Sequence, residues 1–174
     1  LVGVKEINDD LGKKRIIKEI SYYTNSEFVK YVKCVLESYY STNFTKLESS
    51  DMDLIGRIDG KNHGIKCIRL PQDERVTNKE VKSFQHSFKN ANLKGGILLT
   101  SSYFVDEMKN EVINNIMLMD LNNFLTIIKE VNMYPTKKEI EEHILSRHAE
   151  NKRKLLSSRE KVFTSHKIKR NLFL

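Results

Sequence analysis

The apolar residues near the start of the chain recur at the i, i+3, i+4 spacing of amphipathic helices. One such stripe covers residues 11–23, and a second begins after residue 24. The four residues Thr24-Asn25-Ser26-Glu27 match a capping box, in which Thr and Glu side chains bond to the first free amide groups of a helix. The pattern therefore predicts two helices, and it predicts where the second one starts.

The apolar spacing then changes to short runs that are typical of strands. The sequence predicts a meander of three strands, in which the turn Asp59-Gly60-Lys61-Asn62-His63-Gly64 joins the last two. These strands are predicted over residues 44–47, 53–58 and 65–70.

Predicted helices and strands alternate after this meander. A second capping box, Thr77-Asn78-Lys79-Glu80, starts a helix that Lys94-Gly95-Gly96 ends. Two buried strands follow, at 97–100 and 116–119, with helices around 105–112 and over 121–129. Helices that cross between apolar strands imply a partly parallel sheet covered on both faces. We therefore predict an α/β fold with a mixed five-stranded sheet flanked by helices.

Pro135 interrupts the alternation, and the capping box Thr136-Lys137-Lys138-Glu139 predicts a polar helix after it. Because this helix has few apolar positions, we expect most of its surface to be solvated. The sequence thus predicts one domain over residues 1–134, and a polar helix with a basic C-terminal extension over residues 135–174.

Positive charge is concentrated in that extension. The whole chain has a formal net charge of +7, and residues 151–174 carry eight Lys or Arg and one Glu, which also gives +7. Such a segment suits the phosphate backbone of DNA or an acidic protein, and a solvated tail is an equally good interpretation. The candidate DNA-binding residues are Lys152, Arg153, Lys154, Arg159, Lys161, Lys167, Lys169 and Arg170.

Composition and spacing argue against several classes of protein. No apolar run reaches the roughly 18 residues of a membrane span, and the N-terminus has no signal-peptide pattern. Cys34 and Cys67 lie in apolar segments without metal-site spacing, so we expect reduced core thiols and an intracellular, reducing setting. Because the sequence does not begin with Met, we expect it to be a piece of a longer chain.

Three segments, taken in order, carry a resemblance to a known family. They are Ser50-Asp51-Met52-Asp53-Leu54-Ile55-Gly56, Ile65-Lys66-Cys67-Ile68-Arg69 and Lys94-Gly95-Gly96-Ile97-Leu98-Leu99-Thr100-Ser101-Ser102-Tyr103-Phe104. With the order of elements over residues 27–129, they resemble the Mrr-type branch of the restriction-endonuclease-like nucleases, the PD-(D/E)xK superfamily. The resemblance implies a mixed sheet flanked by helices and a DNA-cleaving ancestry.

The resemblance also implies a metal site, and this sequence departs from it. In the family, a strand Asp and the first residue of (Glu/Gln)-x-Lys hold Mg²⁺, and the lysine helps to position the attacking water. Here Asp53 keeps the acid position, Lys66 replaces the metal ligand and Ile68 replaces the lysine. Val29 stands where the family often has a further Glu.

Alternation along strands places Lys66 on the face that carries Asp53. With a turn centred between Asp59 and Asn62, Asp53 is expected roughly opposite residue 68, which makes Lys66 a diagonal neighbour within reach. We therefore predict that an internal ion pair between Asp53 and Lys66 has replaced the metal site.

Other interpretations stay open at this point. Asp53 fits an ordinary acid at a strand end, and Lys66 fits a relocated catalytic lysine. Further acids are also candidates for restoring metal ligands, namely Asp51, Asp59, Glu74 and Glu80. We expect His63 to be a turn residue and the pair Gly95-Gly96 to belong to a helix end.

Three functions are compatible with these features. The first is a catalytically inactive nuclease-fold module, without a cofactor, that binds DNA or joins a DNA-associated complex through its C-terminal segment and the basic stripe Lys13–Lys18. The second is an active Mg²⁺-dependent DNA endonuclease with rearranged ligands, in which Asp53 is a metal ligand. The third is a protein-interaction scaffold or homodimerisation module that uses residues 157–174. None of the three involves a membrane.

Overall fold

The computed structural model describes residues 2–48, 51–91, 93–108, 115–133 and 153. The chain divides into two compact units, Leu1–Tyr134 and Pro135–Leu174, and every element named below belongs to the first. The predicted polar helix and basic extension after Pro135 lie outside the described residues, apart from the exposed Arg153.

Four α-helices and one short 3-10 helix are described. They are α1 (Val2–Tyr22), α2 (Asn25–Tyr40), α3 (Asn78–Asn90), α4 (Leu121–Val131) and the 3-10 helix Asp106–Met108. None of them is long and apolar enough to cross a membrane. Of the helix predicted around 105–112, only the 3-10 turn is described, because residues 109–114 lie outside the described part.

The capping boxes start α2 and α3 where the sequence predicts them. The Glu27 carboxylate accepts a hydrogen bond from the backbone amide of Thr24 at 2.6 Å, and the Thr24 hydroxyl accepts one from the amide of Glu27 at 3.3 Å. In α3 the Glu80 carboxylate accepts from the amide of Thr77 at 2.9 Å. Such reciprocal bonds satisfy amide groups that a helix leaves free at its N-terminus.

The predicted five-stranded mixed sheet is confirmed. Its strands are β1 (Phe44–Lys46), β2 (Leu54–Ile58), β3 (Lys61–Ile68), β5 (Gly95–Thr100) and β7 (Ile116–Met119), in the order β1-β2-β3-β5-β7. The first three form an antiparallel meander, and β3, β5 and β7 run parallel. Two further strands, β4 (Arg75–Val76) and β6 (Tyr103–Phe104), form a small parallel sheet that the sequence does not predict.

The sheet is packed on both faces. On one face, apolar residues of α1, α2 and α4 pack against inward positions of the sheet such as Leu54, Ile65 and Ile97. On the other face, α3 contributes the buried residues of its apolar stripe, and these cluster with Leu98. The residues of that stripe are Val81, Phe84 and Phe88. Both layers are thus built on alternate residues of the same strands, as a covered parallel sheet requires.

Two predictions about strands are wrong. β7 is an edge strand rather than a buried one, and the Met117 side chain is 52% exposed. Gly95 and Gly96 do not end a helix, since α3 ends at Asn90 and both glycines begin β5. A Cβ atom on Gly95 would lie 2.0 Å from Nε2 of His63 on the neighbouring strand, so a larger residue there would have to displace that imidazole.

Candidate functional site

The hairpin of β2 and β3 turns in two residues rather than six. Ile58 pairs with Lys61, and Asp59 and Gly60 between them have φ values of 49° and 74°. Two left-handed residues in succession are typical of a type I′ turn, whose twist matches that of the strands. Its two positive φ values favour the dipeptide Asp-Gly. His63 therefore belongs to β3 and is not a turn residue.

This shorter turn changes the register that the sequence predicts. Leu54 pairs with Ile65, so the next residue back along β2, Asp53, lies beside Lys66 and not opposite residue 68. The amide of Asp53 donates to the carbonyl of Ile65 at 2.9 Å, which continues the ladder past the end of β2. The prediction of a diagonal contact is wrong, and the two side chains are direct cross-strand neighbours.

The predicted ion pair is present. The Lys66 ammonium lies 3.4 Å from Oδ2 of Asp53, with the two side chains 33% and 23% exposed. The same Oδ2 accepts a hydrogen bond from the backbone amide of Cys67 at 2.8 Å. The carbonyl of Asp53 accepts from the amide of Leu47, which ties the residue to the segment after β1. Asp53 is therefore held by contacts to both of its neighbouring strands.

The pair lies in partial contact with solvent, so its contribution to stability is modest. A partly exposed ion pair is worth about 0–1 kcal/mol, because water screens the charges and two side chains lose rotational freedom. Its larger effect is on the local charge, since an ammonium group now lies beside the carboxylate. The pair thus changes the chemistry of this site more than it stabilises the fold.

These residues do not fit a Mg²⁺ site. Mg²⁺ prefers several oxygen ligands in octahedral geometry, and a neighbouring ammonium group repels a divalent cation. Within the described ranges, no group of three or more His, Cys, Asp or Glu side chains is arranged to hold a metal ion. One oxygen of Asp53 is already shared between Lys66 and the amide of Cys67.

The other candidate acids have different partners in the fold. Asp51 accepts a hydrogen bond from the hydroxyl of Ser87 at 2.9 Å, and Glu80 belongs to the capping box of α3. Glu27, which adjoins the family's acid position, belongs to the capping box of α2. Asp59 lies in the turn at the far end of β2, and Glu74 lies exposed beyond β3. Among the residues that the structure describes, Asp53 and Lys66 are brought together, and further acids are not arranged with them as a metal-binding group.

A groove opens beside this pair, between the end of β3 and α3. It has a volume of 260 Å³, and its walls carry both charges and hydroxyl groups. The lining residues are Asp51, Lys66, Ile68, Lys79, Glu80, Ser83, Phe84 and Ser87. The contribution of α3 to this groove was not predicted, because a capping box locates the start of a helix but not the strand that it faces.

The predicted basic surfaces are described only in part. On α1, the side chains of Lys13, Lys14, Arg15 and Lys18 are all exposed to solvent. Of the eight basic residues in the C-terminal segment, only Arg153 is described, and it is exposed. The remaining seven lie outside the described residues, so their role stays a prediction.

Comparisons with known proteins identify the family of the sequence and proteins of similar structure. The family model of the Mrr catalytic domain, described as a restriction endonuclease, matches residues 20–128. The DNA modification-dependent restriction endonuclease AspBHI is similar in structure, with a TM-score of 0.57 and 15% identity over 80% of this chain and 40% of that chain. The MspJI restriction endonuclease in complex with a 27-mer oligonucleotide gives a TM-score of 0.47 and 12% identity, over 68% of this chain and 31% of that chain.

The chain therefore spans less than half the length of these two nucleases. A comparison with curated protein sequences finds no match.

The mixed sheet, its flanking helices and the likeness to AspBHI define a restriction-endonuclease-like α/β fold. Since the family model matches more than half of the sequence, the chain belongs to the Mrr-type restriction endonuclease family. The resemblance seen in the sequence motifs is thereby confirmed, and the fold is that of a DNA-related nuclease domain.

Proposed function

We propose that this domain is a catalytically inactive nuclease-fold module that binds DNA. The single observation that carries this proposal is the Lys66 ammonium 3.4 Å from the Asp53 carboxylate. A nuclease of this family needs that carboxylate for Mg²⁺, which stabilises the charge that develops on the scissile phosphate. With Lys66 as its partner, Asp53 is a component of an internal ion pair.

The lysine that the family uses for cleavage is also replaced, and this supports the same proposal. Ile68 stands where the family lysine would position the attacking water, and its side chain lines the groove as an apolar wall. An isoleucine carries no group able to hold or transfer a proton. Both changes therefore affect cleavage, whereas neither removes the basic surfaces that would contact DNA.

Retention of DNA binding is supported by family membership and by charge. The matched family is one of restriction endonucleases, and the structurally similar AspBHI is a DNA modification-dependent restriction endonuclease. The exposed basic stripe of α1 and the basic C-terminal segment supply positive charge for backbone phosphates. Contacts of this kind position a protein on DNA without reading its sequence.

An active Mg²⁺-dependent endonuclease with rearranged ligands is the second candidate. One observation favours it, since Asp51 and Glu80 line the same groove as Lys66. Both carboxylates already accept hydrogen bonds from neighbouring hydroxyl groups, and the Lys66 ammonium in the same groove repels a divalent cation. We therefore rank this candidate below the inactive module.

The test measures the binding of DNA and the cleavage of DNA separately. The protein is incubated with supercoiled, linear and branched DNA, in Mg²⁺ or in Mn²⁺, and each mixture is analysed for gel retardation and for nicking. We expect retarded DNA without any new nicked or linear product. Asp53→Ala and Asp73→Ala are compared in parallel, because Asp73 is an exposed acid outside the groove.

Nicking that requires the metal and disappears in Asp53→Ala, but not in Asp73→Ala, would establish the endonuclease instead. Nicking that persists equally in both variants would point to a contaminating nuclease.

A further inference from the structure

We propose that Lys66 is a metal-independent phosphate-binding residue, whose ammonium group contacts a backbone phosphate of DNA in the groove between β3 and α3. Asp53 limits the strength of this contact by neutralising part of the lysine charge. This inference rests on the proposed DNA-binding function and adds the residue, the groove and the ligand group.

The position of Lys66 supports this role. Its side chain is 33% exposed, and it lines the 260 Å³ groove next to α3. The side chain thus pairs with Asp53 and also lines the open groove. A lysine ammonium has three donors and no acceptor, so the pair with one carboxylate oxygen leaves it able to donate to a second anion.

The remaining walls of the groove suit a single phosphate group. Lys79 contributes a second positive charge and Ser83 a hydroxyl group, and hydroxyl groups are common donors to backbone phosphates in DNA complexes. The hydroxyl of Ser87 also lines the groove, but its proton is donated to Asp51. Ile68 and Phe84 form the apolar part of the lining.

Two acids in the lining set a limit on affinity. Asp51 and Glu80 balance Lys66 and Lys79 in the lining, and Asp53 beside the groove offsets Lys66 further, so the groove would not attract a tract of phosphates. Each of these carboxylates accepts a hydrogen bond from a hydroxyl group, Asp51 from Ser87 and Glu80 from Thr77. The contact that we infer is therefore one phosphate at Lys66, in addition to the basic surfaces elsewhere.

Removing the charge of Asp53 gives opposite results for the two kinds of site. In a metal site, Asp53→Asn removes a ligand and weakens any metal-dependent binding of DNA. In the site proposed here, the same change frees the Lys66 ammonium from its counter-charge and strengthens the binding of DNA. An asparagine oxygen is still able to accept from the Cys67 amide, so the hairpin keeps that hydrogen bond.

The experiment measures binding of a short fluorescent duplex by anisotropy over a series of salt concentrations, with and without EDTA. We expect Lys66→Met to weaken binding at low salt by roughly fivefold, and to reduce the slope of log affinity against log salt by about 0.9. Asp53→Asn should strengthen binding by roughly two- to fivefold, the effect of a partly exposed ion pair. EDTA should change neither result.

Controls separate charge from folding. Lys66→Arg keeps the charge and should bind as the unchanged protein does. Lys61→Met removes an exposed lysine at the other end of β3 and should leave the affinity within about twofold. The double variant Asp53→Asn with Lys66→Met should equal Lys66→Met alone, because Asp53 acts through Lys66.

Equal affinities in the unchanged protein, Lys66→Met and Asp53→Asn would overturn this inference and leave the proposed DNA-binding function standing. Weaker binding in Asp53→Asn that EDTA reproduces would also overturn it, in favour of a metal site. A protein that retains no duplex at low salt would overturn both proposals together.

Discussion

At the scale of single residues, the two thiols have different surroundings. Cys34 is exposed on α2, so the expectation that it is a core thiol is wrong. Cys67 is partly buried in β3, beside the ion pair. Burial first, and the Asp53 carboxylate second, hold the pKa of the Cys67 thiol well above its ordinary value, and Lys66 offsets part of that rise. Cys67 is therefore protonated near neutral pH.

A thiol-specific disulfide reagent should distinguish the two cysteines. Because only the thiolate reacts, we expect one thiol to react rapidly in the folded protein near neutral pH and a second to react only after denaturation. The absorbance of the released product gives the number of thiols that react in each phase. Cys34→Ser should remove the rapid phase, and Cys67→Ser should keep it. Two equally rapid phases in the folded protein would contradict the environment described for Cys67.

At the scale of elements, the β2–β3 hairpin depends on its turn. Gly60 has a φ of 74°, a left-handed conformation that costs an L-residue with a side chain roughly 1–2 kcal/mol. We expect Gly60→Ala to lower the free energy of unfolding by about 1 kcal/mol. For a chain of this size, the thermal midpoint should fall by about 2–4 °C, as measured by circular dichroism.

Gly12 provides a matched control for this substitution. It lies inside helix α1, and nothing is within 4 Å of the position that a Cβ would occupy. Because alanine favours a helix over glycine, Gly12→Ala should raise the stability by roughly 0.5–1 kcal/mol. Replacement of glycine by alanine should thus lower the free energy of unfolding at residue 60 and raise it at residue 12. A similar loss in both variants would show that the turn conformation is not the cause.

The elements differ in how far the sequence determines them. The starts of α2 and α3 are predicted correctly, because Thr24 with Glu27 and Thr77 with Glu80 make local hydrogen bonds whose spacing is visible in the sequence. Strands β4 and β6 are missed because each has two residues, too few for a period, and their pairing joins distant parts of the chain.

The site shows the same division between local and distant information. Alternation along β3 predicts that Lys66 and Asp53 share a face, and the length of the lysine side chain predicts their contact even in the wrong register. The predicted register is wrong by two residues because it assumes a six-residue turn, although the dipeptide Asp59-Gly60 favours a two-residue turn. The groove depends on how α3 packs against the sheet, and the role of Gly95 depends on the imidazole of His63. Neither packing arrangement has a local signature.

At the scale of the whole molecule, charge is distributed unevenly. Residues 1–150 have 22 basic and 22 acidic residues, whereas residues 151–174 carry the entire net charge of +7. The neutral part includes the groove at Lys66 and the basic stripe of α1. For the proposed binding of DNA, we therefore expect attraction over long distances to come from the C-terminal segment, and individual contacts at short range to come from the domain.

Removal of residues 151–174 tests this division of roles. If the segment binds DNA, its lysines and arginines neutralise phosphates and release counterions, so log affinity falls with log salt by about 0.9 for each phosphate contacted. The shortened chain should bind a labelled duplex more weakly and with a flatter slope, whatever the sequence of the duplex. A variant of the whole 174-residue chain, with the eight Lys and Arg residues of this segment changed to Gln, should behave in the same way. This control separates the loss of charge from the loss of chain.

The opposite result has an equally definite meaning. If the shortened chain keeps its affinity and slope but loses self-association in sedimentation, the segment is a protein-docking arm, with the apolar residues Val162, Phe163, Ile168, Leu172 and Phe173 as its anchors.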